Sequence, residues 1–142
     1  MTQRILIATD GSELSQRAIA AGIGLAQKLG VSVVGCAALP NYPYHGFGET
    51  SPAEVTFRAQ AAAVANGALD AVERAAAGAG VPFARVLREG HPDDVILQTA
   101  DTEDCDLIVM ASHGRRGVAS LLLGSETQKV LARSHRPVLV VR

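Results

Sequence analysis

Cysteine is scarce in this chain of 142 residues, which has only Cys36 and Cys105. Both fall in or beside apolar runs, where a thiol acts as a small hydrophobe, so a disulfide framework is not expected. Lysine is as rare, at Lys28 and Lys129. Neither follows a glycine, so the phosphate-loop signature G-x4-G-K-[S/T] is missing and ordinary strand-associated NTPase chemistry is disfavoured. No excess charge of either sign exists: 13 basic side chains against 14 acidic ones leave a net charge of -1. That balance supplies no electrostatic footprint for a general nucleic-acid or anionic-membrane partner. His45, His91, His113 and His135 share no metal-ligand spacing, and no metal site is expected.

Long apolar runs are lacking too. The longest, glycine included, is Ala18 to Ala26, far short of the roughly 20 residues that cross a bilayer. Ile5-Leu6-Ile7-Ala8 meets Asp10 too soon to form the core of a secretory signal. A soluble, cytoplasmic protein is expected. What the chain does have is 48% hydrophobic residues, enough to offset the entropy of ordering one domain, with no room for two ordinary cores.

Strand and helix signals alternate along the chain. Arg4 to Thr9 is an apolar, partly β-branched run (β1) that stops at the turn cluster Asp10-Gly11-Ser12. From Ser12 to Leu29 apolar residues return at helical spacing (α1), and Gly30 closes the segment. Gly22-Ile23-Gly24 imitates the start of a dinucleotide fingerprint. It lies inside the helix rather than in a strand-to-helix turn, which points to close helix packing. Val31 to Leu39 (β2) ends at Pro40, and Asn41 to Ser51 is a loop. Pro52 opens a long helix (α2) with one apolar stripe from Phe57 to Ala76, running as far as Gly78.

Pro82 to Arg88 alternates and carries charge, as a partly exposed edge strand would (β3). Pro92-Asp93-Asp94 opens a further helix (α3) with its acids where the helix dipole favours them. Leu107 to Ala111 (β4) has no polar alternation, Ser125 to Ser134 is helical (α4), and Pro137 to Val141 is a last apolar strand (β5). The near-continuous apolar character of β1, β4 and β5 predicts an α/β, doubly wound parallel sheet with helices on both faces. With strand order 3-2-1-4-5, a binding crevice would open between the carboxyl ends of β1 and β4.

The segment after β4 carries the chemistry. It reads Ala111-Ser112-His113-Gly114, then Arg115 and Arg116, and after a further stretch Gly124-Ser125-Glu126-Thr127-Gln128. Glycines admit an anion close to the backbone, and free amides at a helix start offer it donors and a positive partial charge. Ser125 and Gln128 have the spacing of a capping box. A well-capped helix with no ligand is an equal reading of these features taken alone. Asp101, Glu103, Asp104 and Asp106 cluster before β4 and read as solvated loop acids.

Asp10-Gly-Ser after β1, the segment Met110-Ala-Ser-His-Gly114, nine residues, then Gly124-Ser125, and finally Arg136-Pro-Val-Leu-Val-Val resemble the universal stress protein family. The resemblance covers the whole chain, residues 1–142, in order and spacing. It implies a five-stranded sheet of order 3-2-1-4-5 and a homodimer. It also implies a split between nucleotide-binding and non-binding members, the former marked by G-x2-G-x9-G-[S/T]. Here Gly114, Gly124 and Ser125 match, but the first motif position is Ala111. A methyl group there intrudes little if the backbone has ordinary negative φ, and is costly otherwise.

By the same resemblance the ligand is ATP, with or without magnesium. Ala8, Thr9, Asp10 and Ala38 would face adenine and ribose, Met110 and Ala111 the ribose side. Gly114, Gly124, Ser125, Glu126 and Thr127 would lie at the phosphates, with Arg115 complementing phosphate oxygens. Glu126 would repel a triphosphate if turned inward, and is expected to point outward. Tyr42, Tyr44 and Phe47 crowd the loop after β2, where packing on α2 is favoured over a lid. The wholly apolar β5 at a sheet edge, Pro137, Val138, Leu139, Val140 and Val141, predicts pairing with its copy across a two-fold axis. No catalytic base or nucleophile stands out beside the phosphate residues, so an enzyme, at most a slow ATPase, ranks below a stress-associated nucleotide-binding regulator. A nucleotide-free dimeric scaffold is the alternative.

Overall fold

The computed structural model describes residues 3–42, 51–114 and 123–142. Five strands form one parallel sheet, as the alternation of elements predicts, in the order β3-β2-β1-β4-β5 that the family resemblance implies. Along the chain the elements are β1 (Arg4–Ala8), α1 (Glu13–Leu29), β2 (Ser32–Leu39), α2 (Pro52–Ala79), β3 (Phe83–Glu89), α3 (Pro92–Thr102), β4 (Leu107–Ala111), α4 (Ser125–Arg133) and β5 (Val138–Val141). The predicted bounds are shifted by one residue at several ends. Thr9 leaves β1, Ser12 is the cap of α1 rather than its first residue, and α2 runs past Gly78 to a left-handed Gly80.

Both faces of the sheet are covered, and the pleat decides which residue meets which layer. Ile5, Ile7, Val33 and Val109 point to α1 and α2, where Ile19, Ile23, Val72 and Ala76 close the core. Leu6, Val34, Ile108 and Met110 point the other way, to Val95, Ile96 and Ala100 of α3 and Val130 of α4. This period of two in the central strands is why their runs read as continuously apolar. Gly22 is buried in α1, and a Cβ there would lie 2.6 Å from Ile7 Cδ1, whereas Gly24 has nothing within 4 Å. The first glycine of the false fingerprint is thus a contact between helix and strand.

The two cysteines are buried and unpaired, and burial pushes both thiols up to about 11. The acids before β4 do more than face solvent. Asp106 Oδ2 accepts from the amides of Gln3 at 2.6 Å and Arg4 at 3.1 Å, and Glu103 pairs with Arg4. Asp101 and Asp104 pair with Arg136 at the entry to β5. These carboxylates, Asp101 in the last turn of α3 and the other three after it, therefore pin the amino ends of β1 and β5, opposite the end where a crevice forms. No helix among the described residues is long and apolar enough to cross a membrane.

Candidate functional site

The carboxyl ends of β1 and β4 are shaped by short-range hydrogen bonds. After β1 the chain turns at Gly11, whose φ of 79° suits glycine. Asp10 Oδ1 accepts from the Ser12 amide at 2.9 Å, and Ser12 Oγ caps α1 by accepting from the Ser15 amide at 3.2 Å. With one carboxylate oxygen so engaged, the other faces Gly114: a Cβ on Gly114 would sit 2.8 Å from Asp10 Oδ2. Gly124 lies against the same turn. Its amide donates to Ser112 O at 2.8 Å, and a Cβ there would meet Ser112 O at 3.1 Å and His113 Cα at 3.2 Å. Neither glycine has positive φ, so closeness, not backbone conformation, is what excludes a side chain.

Two glycine corners separated by nine residues thus meet beside the first carboxylate. Thr127 fastens the second corner, its hydroxyl donating to Ala111 O at 2.9 Å and Ser112 O at 3.1 Å. Ala111 is an ordinary strand residue, and Asp104 is the one non-glycine residue with positive φ among those described. The methyl group at the first motif position therefore costs no backbone strain.

The expected capping box does not form. Gly124 is the N-cap of α4, no side chain caps the helix, and Gln128 Nε2 reaches back to Leu123 O at 2.7 Å instead. Ser125 enters the helix as its first residue and is exposed. The helix-start amides are consequently not engaged by a Ser125 cap, which is what an anion site at this turn requires.

A cavity of about 420 Å³ opens here. Of the residues expected from the sequence, Ala8, Thr9, Asp10, Ala38, Met110, Ala111, Gly114, Glu126 and Thr127 line it. Gly124 and Ser125 are not among the residues lining it, and Arg115 lies outside the described residues, as do Tyr44 and Phe47. The opposite wall was not foreseen. Phe57, Gln60, Ala61, Val64 and Ala65 of α2 form it, joined by Pro92 and Ile96 of α3. Tyr42 packs edge-on against Phe57 of α2, with ring centroids 5.3 Å apart. Cys36 forms part of the floor. Its high thiol value keeps it protonated at neutral pH, donating to Thr99 Oγ1 at 3.5 Å, a neutral wall rather than a nucleophile.

Glu126 corrects an expectation. Instead of pointing outward it lines the cavity, and its Oε2 accepts from the Asp93 amide at 3.2 Å while Oε1 lies 3.4 Å from Lys129 Nζ. The start of α3 has no side-chain cap of its own, because His91 makes no capping bond, and Glu126 supplies one from α4. At the other end of α4, Arg133 bonds Asp93 Oδ2 at 2.5 Å and Asp94 Oδ1 at 2.7 Å.

Burial alone would raise the Asp93 carboxyl. The Arg133 hydrogen bond, a backbone hydrogen bond, and the charges of Arg133 and Lys129 together outweigh it and hold the group below its ordinary 3.8. A depressed folded value stabilises the fold at and above about pH 4, and that contribution is lost as pH falls through the folded value. Asp93→Asn is therefore expected to lower the thermal midpoint at neutral pH and to converge on the wild-type midpoint under acid. A gap independent of pH would contradict the assignment.

Known proteins share this fold. The sequence pattern of the universal stress protein family matches residues 1–142. A universal stress protein of Thermus aquaticus is 37% identical, the match covering 100% of each chain. The structure of universal stress protein UspA from Lactobacillus plantarum superposes with a TM-score of 0.83 at 22% identity, over 99% of this chain and 98% of that one. A universal stress protein in complex with cAMP superposes with a TM-score of 0.76 at 25% identity, over 99% and 97%. Fold, glycine corners and full-length similarity agree, and this chain belongs to the universal stress protein family.

Proposed function

We propose that the cavity binds an adenine nucleotide, ATP being the ligand implied by the sequence, and that occupancy tunes the surface of a cytoplasmic, homodimeric stress-response regulator. The observation that carries this reading is the meeting of Gly114 and Gly124 beside Asp10, at the mouth of a cavity between the carboxyl ends of β1 and β4. A Cβ at Gly114 would crowd Asp10 Oδ2, and one at Gly124 would push against Ser112 O and His113 Cα, so a side chain at either position would force the two corners apart. The helix start at Ser125 to Thr127 supplies amide donors, and the apolar side chains of α2 and β2 suit a purine face. The cAMP complex of a relative is consistent with the same class of ligand. Because a ligand shifts a conformation only by differential affinity, the nucleotide has to favour one position of α4 or of the loop before it.

The test is nucleotide analysis of protein purified without added nucleotide, followed by calorimetric titration with AMP, cAMP and ATP, with and without magnesium. Saturable heat for at least one is expected. None at millimolar ligand rejects the reading and favours the nucleotide-free scaffold, for which the Glu126 carboxylate in the cavity wall is the supporting feature.

The dimer is proposed through β5. Its inner edge pairs with β4, Leu139 is 40% exposed, and no described strand covers its outer edge. Pairing with a second copy would hide both the backbone groups and the apolar side chains. Light scattering is expected to give twice the chain mass at micromolar concentration, and a monomer mass would refute the interface.

A further inference from the structure

We propose that Glu126 sets the phosphate charge the cavity accepts, favouring adenosine monophosphates, open or cyclic, over ATP; this rests on the nucleotide reading above. Glu126 is the second residue of α4, two positions beyond the Gly124 corner. The residue lines the cavity with its side chain 37% exposed, and its carboxylate is held from two sides, by the Asp93 amide and by Lys129. Swinging it out would uncap α3 and break the pairing with Lys129. The start of α4 is thus an anion site that already has a fixed negative charge beside it.

Among the described residues lining the cavity the carboxylates are Asp10 and Glu126, and none is lysine or arginine. The one lysine in contact with this wall, Lys129, is shared with Glu126 itself. Every phosphate beyond the first adds negative charge to the same corner. In a partly enclosed site that repulsion is screened less than in open water. A single phosphate seated at the glycine corner still gains the amides and meets the least repulsion.

Calorimetric titration of the full chain with AMP and with ATP, magnesium omitted, tests this in wild type and in Glu126→Gln, at low and high salt. Wild type is expected to bind AMP about tenfold or more tightly than ATP. Glutamine keeps the shape and can still accept from the Asp93 amide, so its thermal midpoint is expected to stay near that of wild type. It should tighten ATP by about fivefold while leaving AMP within about twofold, and high salt should narrow the wild-type gap. The variant isolates the carboxylate from any cation that the preceding loop contributes. Equal affinities for AMP and ATP, a ratio unchanged in Glu126→Gln, or a gap indifferent to salt would each overturn the proposal while leaving the nucleotide reading standing. Binding of ATP without AMP would overturn this proposal alone, and failure of every adenine nucleotide to bind would overturn both.

Discussion

Gly124→Asp is expected to lower adenine-nucleotide affinity by about a hundredfold or more while the protein remains folded. A hundredfold corresponds to about 2.7 kcal/mol, within the range of losing one or two hydrogen bonds to a charged group. Three effects act together. The new Cβ lies 3.1 Å from Ser112 O and 3.2 Å from His113 Cα, so the corner has to open by a few tenths of an ångström. The backbone at Gly124, with φ of -63° and ψ of 156°, is already that of an N-cap residue. Aspartate suits that position and will turn its carboxylate onto the amides of the first turn, taking the donors a phosphate would use. Its charge then repels what it has displaced. Because the same capping bond stabilises α4, the strain at the corner is largely offset, and thermal unfolding is expected to change little. Gly124→Ala isolates the steric part and should lose less affinity. Undiminished binding by Gly124→Asp would remove the glycine corner from the site.

Gly22→Val is expected to cost about 3 kcal/mol of stability, the upper end for overpacking a core. A Cβ at this position lies 2.6 and 2.8 Å from Ile7 Cδ1 and Cγ1, and Ile7 is fully buried in the central strand. In a close-packed core a fully buried side chain yields little, so relief is expected to come from α1 lifting from the sheet. Two residues on, Gly24 faces open space in the same helix, and Gly24→Ala is expected to gain about 0.5–1 kcal/mol from backbone entropy alone. Urea denaturation of both variants checks the pair. The same sign for both changes would mean that helix propensity, not the contact with Ile7, governs these positions.

The layering was legible because the central strands consist of residues buried on both faces, and such runs admit few other architectures; the strand order came from the family resemblance. Gly114, Gly124 and Asp10 were legible as a group only through spacing matched to a family. Nothing in their local sequence says that two corners will touch. The α2 wall was missed for a physical reason. Helical periodicity shows that Phe57, Ala61, Val64 and Ala65 share a face, not whether that face meets a strand or a void. A usable signal existed in length. The 28 residues of α2 span about 42 Å, while the eight residues of β2 reach about 27 Å. Part of the helix has to overhang the sheet, and its amino-terminal half, with Val64 43% exposed, does. The capping box failed because a serine and a glutamine at the right interval cannot reveal that the chain enters the helix one residue earlier.

The ties between α3 and α4 bear on how this molecule could report its state. Glu126 at the start of α4 and Arg133 at its end both grip the first turn of α3. The two helices are riveted at two points into one plate on a single side of the sheet. A shift at the glycine corner cannot stay local to α4. It is passed to the first turn of α3 through both contacts, so the two helices bear any such strain together.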